Sequence, residues 1–195
     1  MSALSKIGER WLGICCALCL LSGVWMLSKG VYLQCKAELS QLLIAASWQA
    51  REANQPPAKP WAWADMQAVA RLEVPELEST SFVMGDASGE ALAFGPGNVN
   101  PEAAPGQAGH VVIAGHRDSH FEFLKDIKPG HTINTEHYSG RQARYRVVEL
   151  RVIDARQEEL RIHQDQDWLT LVTCYPFNNL APRGPYRLLV SAEPF

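Results

Sequence analysis

Thr170-Leu171-Val172-Thr173-Cys174-Tyr175-Pro176-Phe177 is the stretch on which the reading of this chain turns. An apolar run of strand length, residues 169–173, ends at a cysteine and is stopped by a proline. Past residue 35 the chain has no other cysteine, so Cys174 has no disulfide partner within its own domain. It is inert filler, a link to another chain, or a nucleophile. A thiol at the end of a strand stands at a rim or groove, where a neighbouring cation or base promotes the thiolate that attacks carbonyl carbon.

Working outward, the same texture of short apolar runs cut by glycine and proline recurs. Residues 71–74, 81–84, 111–114, 145–153 and 187–190 read as further strands, with another around Thr132 and Ile133. Within this β-rich part helical character is modest, at residues 65–70 and 121–127, and Pro129-Gly130 marks a turn. Six or more short strands with short turns predict a mainly β domain, a barrel or a sandwich.

Upstream, residues 11–28 form a run of 18 uncharged residues, close to the roughly 20 a bilayer-spanning helix needs. Trp11 and Trp25 lie near its ends, and no clean small-residue cleavage site follows. A retained single-pass anchor is expected. Lys6 and Arg10 on residues 1–10 put that tail in the cytoplasm and the rest of the chain outside the membrane. Cys15, Cys16 and Cys19 fall within the run as small apolar residues, and Cys35 just past it as a free thiol. Leu39, Leu42, Leu43 and Ala46 recur at helical spacing, and residues 51–60 (REANQPPAKP) read as a linker. Residues 29–60 are thus expected to be a helix and linker, with the β domain spanning 61–195. The net charge of −3 gives no basic field for nucleic acid.

Two further residue types complete a possible site. His116, in Ala114-Gly115-His116-Arg117-Asp118, follows an apolar strand, and Gly115 is expected to permit a sharp turn there. An imidazole suits proton transfer near neutrality. Arg183 and Arg187 follow Cys174, and Arg187 opens a strand able to run beside it. A fixed guanidinium there can stabilise a thiolate or an oxyanion. His116, Asp118 and His120 crowd together, but no second cluster supplies further metal ligands, and no acidic set has calcium-loop spacing. No metal or cofactor is expected. His110, His131, His137 and His163 read as ordinary polar residues, and Trp61 and Trp63 as anchors of the entering segment on the β domain.

Thr170-Leu171-Val172-Thr173-Cys174 fits the TLxTC signature of the sortases, and Ala114-Gly115-His116 and Arg187 before its apolar strand are similar to the family's histidine and arginine segments, in the same order. Pro60-Trp61-Ala62-Trp63-Ala64-Asp65, Val69-Ala70-Arg71-Leu72, Leu92-Ala93-Phe94-Gly95-Pro96-Gly97, Gly115-His116-Arg117-Asp118-Ser119-His120-Phe121 and Cys174-Tyr175-Pro176-Phe177 resemble the Gram-negative class, often called class GN. Arg183 departs from the pattern, which has glycine before Gly184-Pro185.

The resemblance implies a closed barrel of about eight strands with short helices, carrying its site in a groove. It implies a cysteine transpeptidase that cuts an LPxTG-like signal near the C-terminus of a secreted or membrane-tethered protein. Cys174 would form the thioester, His116 move the protons and Arg187 hold the oxyanion or signal backbone. Thr173, His120 and Phe121 would contact substrate. An amine acceptor of unstated identity would take the acyl group. In the Gram-negative setting the anchor lies in the inner membrane and the catalytic domain in the periplasm. Two other readings stay open: a cysteine peptidase that hydrolyses the same signal, and a non-catalytic assembly factor that binds a peptide.

Overall fold

The computed structural model describes residues 2–52, 55–99, 103–160, 166–178 and 184–195. It divides into two compact units, 1–41 and 42–195. The first is helical throughout its described part, within α1 (Ser2–Gln49). The helix has no proline, and neither Gly23 nor Gly30 interrupts it. It is the one helix among the described residues long and apolar enough to cross a membrane. Trp11, Ile14, Leu18, Leu21, Trp25 and Met26 are exposed along it.

The second unit is a closed barrel. Its strands are β1 (Ala68–Val74), β2 (Ser79–Met84), β3 (Gly97–Asn98), β4 (His110–Ala114), β5 (Thr132–His137), β6 (Gln142–Asp154), β7 (Trp168–Cys174) and β8 (Tyr186–Pro194). Around the barrel the order is β1-β2-β3-β4-β7-β8-β6-β5. The pairs are antiparallel except β2 with β3 and β4 with β7, which are parallel. Closure pairs every edge, which an open sheet of these apolar strands would leave exposed.

Alternation fills the interior. In β1, Ala68, Ala70, Leu72 and Val74 are buried and the residues between them are not. Leu72, Val83, Val111, Ile113, Ile133, Leu169, Leu171 and Val190 are buried within one core. β4 and β7 read as nearly continuous apolar runs because both of their faces are covered, as parallel neighbours usually are.

The expected helix at residues 65–70 does not form. Ala68 to Ala70 belong to β1, where Ala70 pairs with Val83 on one side and His137 on the other. Alanine favours helix in isolation, but ladder bonds to two neighbours and burial outweigh that preference. The helix expected at 121–127 is a single 3-10 turn, Glu122–Lys125. β3, only two residues long, carries no sequence pattern and is formed by its neighbours.

A smaller core lies outside the barrel. Ile44 and Trp48, from the end of α1, are buried with Met66, Met84 and Ala91. Trp48 packs on Phe82 and Trp61 meets Phe94 edge-on. Arg51 stacks over Trp48 and pairs with Glu136 of β5, which also pairs with Arg71. Trp61 thus pins the incoming segment as expected of it, whereas Trp63 is 81% exposed and does not.

Candidate active site

Three strand ends meet at one end of the barrel. β4 and β7 run parallel in the register Ala114 to Val172, and the Gly115 amide continues the ladder by donating to the Val172 carbonyl at 3.0 Å. His116 therefore leaves β4 where Cys174 ends β7. β8 runs antiparallel to β7, and Arg187 is directly opposite Cys174. Directly opposed residues point to the same face of a sheet, with Cβ atoms about 5 Å apart. Leu169, Leu171 and Thr173 are buried toward the interior, so alternation turns Cys174 outward, where it is half-buried. His116 is exposed and Arg187 is half-buried. The Arg187 guanidinium donates to the carbonyls of Gly184 (2.7 Å) and Tyr186 (2.9 Å), which fixes it at the start of β8. Arg183 and His163 lie outside the described residues.

Of the three residues expected to touch substrate, Thr173 and Phe121 are buried and His120 is half-buried. Thr173 is 2% exposed, and its Oγ1 donates to the Gly115 carbonyl at 2.8 Å. The hydroxyl is thus committed to tying β7 to the exit of β4. Phe121 is fully buried in the barrel core, edge-on to Phe123, and does not line a groove. Its ring explains Gly115, where a Cβ would lie 2.7 Å from two atoms of that ring. Gly115 serves close packing; the sharp turn expected of it is not the reason a side chain is excluded.

His120 is half-buried and lines an open cavity of about 470 Å³ together with Ser79, Ser81, Ser119, Glu122 and Phe123. Burial lowers its pKa below the ordinary value; a hydrogen bond to the Ala93 backbone opposes that, and the charge of His116 adds to it. His110, also buried, shares a 2.8 Å hydrogen bond with Thr170 of β7.

Arg117 is the residue that sequence reading passed over. It is 7% exposed. Its Nε and Nη2 donate to the two carboxylate oxygens of Asp118 at 2.7 and 3.0 Å, and its Nη1 donates to the Pro176 carbonyl at 2.6 Å. The Asp118 hydrogen bond, then the charges of Asp118 and Cys174, raise the Arg117 pKa against the effect of burial. Asp118, which is exposed, is lowered by the same hydrogen bond. Asp118 therefore serves Arg117. The only signal in sequence was the side-by-side placement of Arg117 and Asp118 next to His116. Among the described residues no group of three or more His, Cys, Asp or Glu side chains is disposed to hold a metal.

The chain and its barrel have known counterparts. The family model described as "Sortase domain" matches residues 72–195. Sortase D of Bacillus subtilis (strain 168) is 24% identical over 125 residues, covering 64% of this chain; the chain spans about 62% of that relative's length. The crystal structure of sortase C1 from Streptococcus suis superposes with a TM-score of 0.57 at 26% identity, over 66% of this chain and 73% of that one. Clostridium perfringens sortase C, solved with the C-terminal cell wall sorting motif, superposes with a TM-score of 0.58 at 20% identity, over 82% of this chain and 89% of its own. With the family model covering β1 to β8 almost entirely, and the barrel shared with solved members, the chain belongs to the sortase family.

Proposed function

We propose that this sortase is a membrane-anchored cysteine transpeptidase acting on a C-terminal sorting signal. The observation that carries the reading is the register that sets Cys174 opposite Arg187, with His116 leaving β4 at the same end of the barrel. The Cys174 thiolate attacks the carbonyl carbon of the scissile peptide bond, and the C–N bond breaks as the tetrahedral intermediate collapses to a thioester. His116 gives its proton to the leaving amine. Arg187 offers a cation and donors to the oxyanion, the largest electrostatic demand of the step. His116 then takes a proton from the incoming amine, which attacks the thioester and releases the thiolate. The thioester conserves the acyl group, so an amine can intercept it ahead of water.

That Clostridium perfringens sortase C was solved with a C-terminal cell wall sorting motif supports a C-terminal sorting signal as the substrate class, with the LPxTG-like form taken from the sequence resemblance. The exposed apolar side chains from Trp11 to Tyr32 support a single membrane span, with the N-terminus cytoplasmic by its lysine and arginine. Tethering raises the encounter rate with a substrate held on the same surface.

Intact-mass measurement tests this reading. The chain is incubated in detergent micelles with LPxTG-like peptides, then with a glycine amine. An acyl adduct on Cys174 that passes to the amine is the expected result. An adduct that goes to water despite the amine points to a peptidase. Absence of adduct from a folded sample whose thiol still reacts with iodoacetamide counts against both.

A further inference from the structure

Between the His116 loop and the turn after Cys174 the described side-chain hydrogen bonds include one that joins the two directly, and it comes from Arg117. We propose that Arg117 is a positioning residue that clamps the loop carrying His116 to the turn following Cys174, so that base and nucleophile keep one relative arrangement. This rests on the reading of Cys174 and His116 as nucleophile and proton carrier.

The geometry separates this from an ordinary surface ion pair. An exposed pair holds two mobile side chains and contributes little. Here the guanidinium is 7% exposed, while its carboxylate partner is 72% exposed. The cation is the built-in member, and Asp118 orients it. All three nitrogens of the planar fork donate: one edge takes both oxygens of Asp118, and the remaining nitrogen reaches the Pro176 carbonyl, 59 residues away in sequence. A lysine has one ammonium and cannot span both partners in fixed geometry.

The loop it holds is otherwise short and self-bonded. Ser119 and Phe121 amides donate to the His116 carbonyl at 3.4 and 3.0 Å, and Phe121 anchors the far end in the core. Arg117 is thus the lateral tie, and Thr173 to Gly115 is a second tie nearer the strands. The Arg117 guanidinium is bonded to the turn two residues past Cys174, through the Pro176 carbonyl. Among the described residues, the charged and titratable groups on the segments next to Cys174 are His116, Arg117 and Asp118 from the loop after β4, Tyr175 from its own turn, and Arg187 and Tyr186 from β8. Arg187 lies across the ladder from Cys174, and Arg117 ties the loop after β4 to the turn that follows Cys174.

The test uses the full chain in detergent micelles. Wild type, Arg117→Gln, Arg117→Lys and Cys174→Ala are compared by thermal melting, by the rate of iodoacetamide alkylation, and by kcat and KM with a peptide that acylates the wild type. Arg117→Gln is expected to lose about 100-fold in kcat, the order seen when a reacting group is displaced by an ångström, with KM little changed. Alkylation of Cys174, taken as the difference from Cys174→Ala because Cys15, Cys16, Cys19 and Cys35 are also free thiols, should change as the turn after it is released. Arg117→Lys should fall between the two while melting like the wild type. Wild-type kcat and alkylation in folded Arg117→Gln would overturn the proposal while leaving the transpeptidase reading intact. If Arg117→Gln does not fold, folded Arg117→Lys decides: wild-type kcat overturns the clamp, and reduced kcat supports it. A wild type that forms no adduct with any peptide, and matches Cys174→Ala, overturns the transpeptidase reading and the clamp's catalytic purpose with it.

Discussion

At the scale of single residues the site depends on what each side chain is committed to. Arg187 is held by two carbonyls at the mouth of β8 and faces Cys174 across the ladder. Arg187→Ala is expected to lower kcat about 100-fold, the usual cost of losing an oxyanion donor, as steady-state kinetics with an accepted peptide would show. His120 carries a pH signature. Burial first, and the charge of His116 in addition, lower its pKa in the folded state, so protonation favours the unfolded chain. Its contribution is therefore fully present above the unfolded histidine pKa, about 6.5, and is lost as pH falls below that toward the folded pKa. Denaturant midpoints measured at about pH 7.5 and about pH 5.5 should fall further in wild type than in His120→Gln. His137, lowered by burial and by Arg141, keeps part of the slope in both.

At the scale of elements, the exit of β4 is the joint that brings chemistry and packing together. Gly115 donates to Val172, accepts from Thr173 and has the Phe121 ring where a Cβ would go. Gly115→Ala should destabilise the fold by about 1–3 kcal/mol, as overpacking does, and lower kcat through the displaced His116. Gly115→Ala with Phe121→Leu should recover part of the loss, and a double-mutant cycle on denaturant midpoints would measure the coupling. None of this was visible in the run Val111 to His116, where a glycine before a histidine suggested a turn. The strand itself was legible, as was β7, because an apolar run bounded by glycine or proline is a local signal. The alanines of β1 were not, because their strand state comes from β2 and β5 on either side.

At the scale of the whole molecule, the barrel unit begins at residue 42, well before the strands. Ile44 and Trp48 bury themselves against Met66, Met84 and Ala91, and Arg51 pairs with Glu136. A fragment 42–195 should therefore be more stable than 60–195 by about 3–5 kcal/mol, the cost of removing a buried aromatic anchor. Equilibrium unfolding in urea would measure it, and equal midpoints would refute the role of that segment. By itself the sequence determined the β class and the apolar N-terminal run, and singled out Cys174 and His116 as candidates, because strand-length runs, hydropathy and rare reactive residues are local properties of the chain. Tertiary structure alone decided that Arg187 stands opposite Cys174, that Arg117 is buried between two loops 59 residues apart, and that Phe121 belongs to the core. These are matters of register and closure, set by which strands pair around the barrel, and no window of neighbouring residues contains them.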